Sequence, residues 1–396
     1  MQVLMVNLRY WKRFDMVSVG IAGLGQMGSA ALRILLEQLP DAQFLAMDRA
    51  PEAVQRAESL DPARVRGRVV DVTAESVDLK GVDVVLNLSG PFFAGSDGLA
   101  QAALRSGTTY IDIGDDLEAT ETVLALDAEA QRAGVALISG AGWSPGVSNW
   151  CAARLLDEFP DSDGVQVVWA THERDPGGLA PLRHMLHMAV TPCPVWRDGQ
   201  WVQSPGFVPE TAGTFTFPEP LGVIDAFDTA HPEPRTLSRF FPQLRNASCK
   251  GSLRPDWANA AFSTLGRIGF GHNDVLVDIA GHDVEPAEFL WKLMWARHQA
   301  ASAPKAGKAL TALLIQVLDG ARVQGALALV DDAPMSRGTG LGAAVAALAA
   351  LRECPPPGAW GPEVLPWQFA LREFERIGRS LGGFGPGIQT LTEVRR

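Results

Sequence analysis

The chain has 396 residues, of which 47% are hydrophobic and 20% charged, and its formal net charge is −11. This length exceeds one hydrophobic core and predicts two domains. The acidic balance, without any dense Lys/Arg cluster, excludes a nucleic-acid surface, and the longest wholly apolar run, residues 343–351, is too short to span a membrane.

The four cysteines, Cys151, Cys193, Cys249 and Cys354, are widely spaced, which predicts neither a zinc site nor a disulfide framework and fits a reducing cytoplasm. Residues 1–15 carry their basic side chains after the apolar stretch, the reverse of a secretory signal. They read as a leader outside the fold, with Met16 a candidate natural start.

Residues 17–30, VSVGIAGLGQMGSA, read as strand, tight turn and helix. In the G-x-G-x-x-G pattern Gly23 makes the turn, Gly25 lets the backbone approach a pyrophosphate, and Gly28 lets the helix pack closely on the strand. Gln26 and Met27 open the helix whose N–H groups and dipole suit phosphate. A second strand ends at Asp48, where an acid accepts the ribose hydroxyls of NAD; the neighbouring Arg49 suits the 2′-phosphate of NADP. The cofactor is therefore NAD or NADP, with NAD favoured.

A helix is expected from Pro51 to before Pro62, then a strand leading to Asp71 and Val72. A further Val/Leu-rich strand ends in Ser89, Gly90, Pro91 and Phe92. Such runs belong to a parallel sheet covered on both faces, with ligands beyond the carboxyl ends of its strands. Asp71, Val72 and residues 89–92 are thus expected to line the cofactor.

The strand at 108–113 opens on Asp112, Asp115 and Asp116. Asp115 and Asp116 read as helix-start acids of one helix covering 117–134, whereas Asp112 is a candidate both for proton transfer and for the cofactor site. No histidine or further acid stands at ligand spacing, so no metal is expected. A sixth strand closes the first domain, and Trp143 opens the turn that leads into the next helix.

These pieces resemble the saccharopine dehydrogenase-like oxidoreductases. The resemblance rests on GLGQMG (23–28), Asp48-Arg49, DVT (71–73), NLSGPF (87–92), YIDIGDD (110–116) and AGWSPGVSN (141–149), followed in patches by HPEPRTL (231–237), KGSLRP (250–255) and GTGLGAAVAALAAL (338–351). It implies NAD(P)-dependent oxidation of a carbon–nitrogen bond, or reduction of an imine, on a small-molecule substrate that is an amine or amino acid. It further implies a homodimer paired through the second sheet. An enoyl or carbonyl reductase of the same family, and a dinucleotide-binding redox sensor without turnover, are the alternatives.

The fold expected is α/β: a Rossmann-type doubly wound parallel sheet over 16–145, then a second α+β domain with a largely antiparallel or mixed sheet over 146–335. Helices over 336–396 return to the first domain, as the resemblance implies. In the second domain Arg183 suits a substrate carboxylate, and His184 shares a helical face with His187. Trp143 is also taken as substrate-facing. By the resemblance, His231 or Glu233 meets a substrate ammonium or relays protons. Lys250 reads as solvated.

Overall fold

The apolar run SVGIA forms β1 (Ser18–Ala22), buried beyond its first residue, and the chain alternates from there. In order come α1 (Gln26–Gln38), β2 (Gln43–Asp48), α2 (Pro51–Glu58), β3 (Val65–Val69), β4 (Val84–Asn87), α3 (Asp97–Ser106), β5 (Thr109–Asp112), α4 (Leu117–Ala125), α5 (Asp127–Ala133) and β6 (Ala136–Ile138). The computed structural model describes residues 17–73, 77–94, 97–173, 175, 178–188, 190–272, 275–300, 311–382 and 388–391; the leader expected at 1–15 lies outside them.

Two local expectations are corrected. The strand expected to lead to Asp71 ends at Val69, because the Asp71 carboxylate accepts the N–H and hydroxyl of Thr73 and turns the chain. The single helix expected over 117–134 is two helices, interrupted at Leu126, where Asp127 turns its carboxylate to the Ala359 N–H.

The second domain begins with α6 (Val147–Glu158) and continues through β7 (Gly164–His172), α7 (Leu179–Met188), β8 (Cys193–Arg197), β9 (Gln200–Ser204), β10 (Gly213–Thr216), β11 (Val223–Asp228), α8 (Glu233–Phe240) and β12 (Asn246–Arg254). Then follow α9 (Trp257–Leu265), the small hairpin of β13 (Val277–Ile279) and β14 (His282–Val284), α10 (Pro286–Ala300), β15 (Thr311–Asp319) and β16 (Arg322–Asp331). The chain ends with α11 (Met335–Glu353), β17 (Gly358–Trp360), α12 (Trp367–Ser380) and β18 (Gln389–Thr390).

Among the described residues the first sheet has seven strands in the order β3-β2-β1-β4-β5-β6-β17, all parallel. Its order reverses between β1 and β4, the switch point where a doubly wound sheet holds its ligand. The second sheet runs β10-β11-β12-β7-β15-β16-β18, with β8 paired to β12 and β9 paired to β8. It is mixed: β12 and β7 are parallel, whereas β15 pairs antiparallel with both β7 and β16.

The C-terminal segment serves both domains. β17 extends the first sheet, but β18 crosses back to β16 in the second, so the return expected for 336–396 is only partial. α11 is almost wholly buried, and its small residues let it lie close to the first domain. A Cβ on Gly340 would stand 2.8 Å from the Met27 carbonyl oxygen of α1, and one on Gly342 would stand 2.2 Å from the Gly142 carbonyl oxygen. No helix among the described residues is long and apolar enough to cross a membrane.

Gly342→Leu should therefore overpack this seam and cost about 1–3 kcal/mol. An unchanged melting temperature in a thermal unfolding scan would contradict the packing described.

Candidate active site

The three glycines of the first turn perform distinct tasks. Gly23 has φ +87°, and a Cβ there would meet the backbone of Leu88 and Ser89 at 2.5–2.6 Å. A Cβ on Gly28 would lie 1.8 Å from the Gly23 carbonyl oxygen, so the helix can approach the turn only without one. Gly25 has nothing within 4 Å of that position, and it faces an open cleft. No side chain caps the start of α1 and no acid stands in its first turn, so its N–H groups are offered to that cleft.

The cleft has a volume of about 390 Å3 and is lined by Gly23, Gly25, Gln26, Met27, Gly28, Asp48, Arg49, Asp71, Val72, Ser89, Gly90 and Pro91. From the second domain Gly178, Ala180, Pro181 and Arg183 complete it. These donors, this opening and this shape fit a nicotinamide dinucleotide. Asp48 also shapes the loop: one carboxylate oxygen accepts the Leu24 N–H at 2.6 Å and the other the Ala50 N–H at 2.9 Å. Asn87 does the same for the far wall, accepting both the N–H and the hydroxyl of Ser89 while donating to Tyr110 Oη.

Three residues expected in the site lie beneath it instead. Phe92 turns into the core, 5% exposed, away from the cofactor cleft. Asp112 is buried, and its Oδ1 accepts the Gly114 and Gly140 N–H groups at 2.8 Å and the Ser139 hydroxyl at 3.0 Å. Burial raises its pKa, while the hydrogen bonds to its Oδ1 hold the Gly114 and Gly140 loops, so it is a positioning residue for them. Trp143 packs at the domain seam, its ring 6.0 Å from Phe374 and pressed against Gly338, which removes it from the substrate side.

Asp116 departs from its expected role in the opposite direction. It precedes α4 but makes no side-chain cap bond. One oxygen accepts the Phe93 N–H at 2.9 Å, and the other faces His184 Nδ1 at 2.7 Å. Asp115 Oδ2 stands 3.7 Å from His184 Nε2 and keeps 31% of its side chain exposed. Burial opposes a charge on His184, but the carboxylates of Asp115 and Asp116 more than offset it and push the ring up to about 9.

The chain of contacts continues inward. His184 Nε2 lies 3.3 Å from His231 Nε2, and the His231 ring stacks on Trp169 with centroids 5.6 Å apart. His231 Nδ1 stands 3.3 Å from Glu233 Oε2, and Glu233 Oε1 accepts the hydroxyls of Ser144 at 2.5 Å and Ser148 at 3.1 Å. Burial works to raise the Glu233 carboxyl, but His231 and the Ser144 hydroxyl beside it hold it below the ordinary value. Folding thus brings together His184, His231 and Glu233 and adds Asp115 and Asp116, which read as helix-start acids, together with Ser144 and Ser148. Cys249 also lies here: its Sγ, His231 and Glu233 offer ligand atoms within 4.8 Å of one another, contrary to the absence of metal-type clusters inferred from spacing.

Arg183 sits between two aromatic faces, its guanidinium carbon 5.4 Å from the Phe93 ring centre and 5.3 Å from that of Trp291. His187 stacks on the same Phe93 ring, with centroids 4.5 Å apart. Lys250, expected to be solvated, is instead paired with Asp228 at 2.5 Å and only 13% exposed.

A doubly wound parallel sheet with a glycine-cradled cleft at its switch point, roofed by a helix of a mixed-sheet domain, defines the class of nicotinamide-dinucleotide-binding oxidoreductase folds. Residues 19–138 match the family model described as saccharopine dehydrogenase NADP binding domain. That match spans the first domain from β1 to β6 and is a likeness of this part of the chain to that family. Apo saccharopine dehydrogenase (L-Glu forming) from Saccharomyces cerevisiae shares the fold with a TM-score of 0.65 at 15% identity, covering 95% of this chain and 100% of that one. Similarity extends to GenD2 from gentamicin A biosynthesis in complex with NAD (TM-score 0.42, 12% identity, 96% and 97% covered). A dehydrogenase from Chromobacterium violaceum has a TM-score of 0.40 at 13% identity, with 93% and 97% covered.

One buried acid at the edge of the network gives a pH test. Glu363 is 5% exposed and accepts from Asn149 Nδ2 at 2.8 Å, and burial raises its pKa to about 7. Its folded value lies above its unfolded one, so its contribution to stability is complete below the unfolded pKa and is lost as pH rises through about 7. Glu363→Gln keeps the acceptor and should remove this loss, melting higher relative to the parent at pH 8 than at pH 5. An identical offset at both pH values would refute the assignment.

Proposed function

We propose that the chain transfers hydride between a nicotinamide dinucleotide and the carbon of a C–N bond in an amine, imine or amino acid. The observation that carries this reading is the Asp115–His184–Asp116 cluster, tied through the Phe93 N–H to the loop lining the cleft and one residue from Arg183. A half-open carboxylate backed by a histidine suits a substrate nitrogen that alternates between amine and iminium. Bound at the cleft, the dinucleotide supplies the hydride chemistry.

The chain's own residues provide the rest. Asp115 faces the substrate nitrogen and attracts its positive charge. The His184–Asp116 pair behind it holds the proton exchanged with that nitrogen, and the His231–Glu233 contact fixes the ring. Arg183, stiffened between Phe93 and Trp291, receives a carboxylate, which favours an amino acid over a simple amine. Asp48 at the cleft supports NAD as the cofactor, through the ribose hydroxyls.

The direct test follows nicotinamide absorbance with a panel of amino acids and diamines in one direction and of aldehydes with amines in the other. On whichever substrate turns over, His184→Gln should lower kcat by roughly 100-fold or more, within the range of general acid–base catalysis, and leave cofactor affinity nearly unchanged. Tight dinucleotide binding without turnover on any member would defeat the proposal. Separately, Asp48→Ser should weaken NAD by roughly tenfold or more, the worth of hydrogen bonds to a charged group, and NADP much less. Equal losses for both dinucleotides would remove Asp48 from ribose recognition.

A further inference from the structure

Folding places three side chains of metal-ligand chemistry in one buried pocket behind the candidate active site. His231 and Glu233 flank the start of α8, and Cys249 lies on β12; they are 6%, 0% and 0% exposed. Two of them already spend part of their bonding capacity elsewhere. His231 uses Nε2 toward His184, and Glu233 uses Oε1 for Ser144 and Ser148. What remains is one atom from each, and both His231 Nδ1 and Glu233 Oε2 are buried without a hydrogen-bond partner.

These two atoms face each other at 3.3 Å yet do not meet in hydrogen-bond geometry. A tetrahedral zinc shell with bonds of about 2.0–2.2 Å to nitrogen and oxygen sets neighbouring donors about 3.3–3.5 Å apart. The observed 3.3 Å separation matches that of two ligands of one ion. The third atom, Cys249 Sγ, lies within 4.8 Å of both, and sulfur takes a longer bond of about 2.3 Å.

We infer that His231 Nδ1, Glu233 Oε2 and Cys249 Sγ form a binding site for a zinc-class divalent cation. A soft thiolate, an imidazole and one carboxylate oxygen select such an ion over magnesium or calcium, which favour all-oxygen shells. Binding breaks the S–H bond of Cys249, places the thiolate on the ion and releases the proton to solvent. With Nδ1 on the ion, His231 carries its proton on Nε2 and donates it to His184, so binding of the ion displaces the second proton of His184 and leaves that ring neutral, its remaining proton on Nδ1 toward Asp116. That carboxylate–histidine–histidine–metal chain is the arrangement that orients a ligating imidazole. The ion also neutralises a Glu233 carboxylate otherwise enclosed by protein.

The test uses the full chain, stripped with a chelator and titrated with Zn2+ or Co2+. The expected result is one equivalent bound per chain, with Co2+ giving a sulfur-to-cobalt charge-transfer band. Cys249→Ser should abolish the band and Glu233→Gln should weaken Zn2+ at least tenfold, whereas Cys193→Ser, a second buried cysteine, should retain both. Circular dichroism reports whether each variant folds; if Cys249→Ser does not, the loss of Zn2+ affinity in folded Glu233→Gln decides. Absence of stoichiometric uptake by the parent, a band that survives Cys249→Ser, or unchanged affinity in Glu233→Gln would overturn the site.

Discussion

Asp116 divides one carboxylate between two domains. Its Oδ2 holds the Phe93 N–H of the cofactor-side loop, and its Oδ1 holds His184 on the helix that roofs the cleft from the second domain. Were the carboxylate lost, the loop, the roof helix and the inner histidine would each lose a reference point. A buried ion pair of this kind adds little net stability, because desolvating both charges offsets their attraction. Its value is geometric: an unpaired charge left behind by misplacement is costly, so the domains dock in one register.

The same division of labour runs through the fold. α7 presents Arg183 to the cleft on one side and His184 to the buried network on the other, within two consecutive residues. Behind the cradle lies α11, whose glycines bring it into contact with α1 and with the Gly142 turn. Small residues at this seam are therefore part of the cradle's construction, since α1, which α11 holds, carries the glycine turn.

What was readable in the sequence was what is local. Gly23, Gly25 and Gly28 act within a few residues of one another, and so their pattern exposes the cofactor cradle; Asp48 follows from strand order. Asp116 was misread because an acid before a helix ordinarily caps it, and only the partner from α7 reveals otherwise. Trp143 and Phe92 sit in motifs that frame the site, yet their side chains turn to the seam and the core, a choice made by packing that no motif records. Cys249, on a strand remote in sequence from the cleft motifs, joins His231 and Glu233 only because β12 lies beside α8. The Asn149–Glu363 contact spans 214 residues and carries no sequence signal at all.

The two ends of the cleft consequently rest on different physics. At the ribose and phosphate end, recognition comes from backbone shape and helix N–H groups, fixed by glycines that tolerate no Cβ. At the end proposed to react it rests on side chains whose charges depend on one another: Asp115 and Asp116 sustain the charge of His184, and His184 and Glu233 flank His231. A backbone cradle keeps its function when distant side chains change, whereas a coupled network does not. On the proposed function, substrate preference can thus diverge through the second domain's contributions, Arg183, His184 and His231, while the dinucleotide cradle stays as it is.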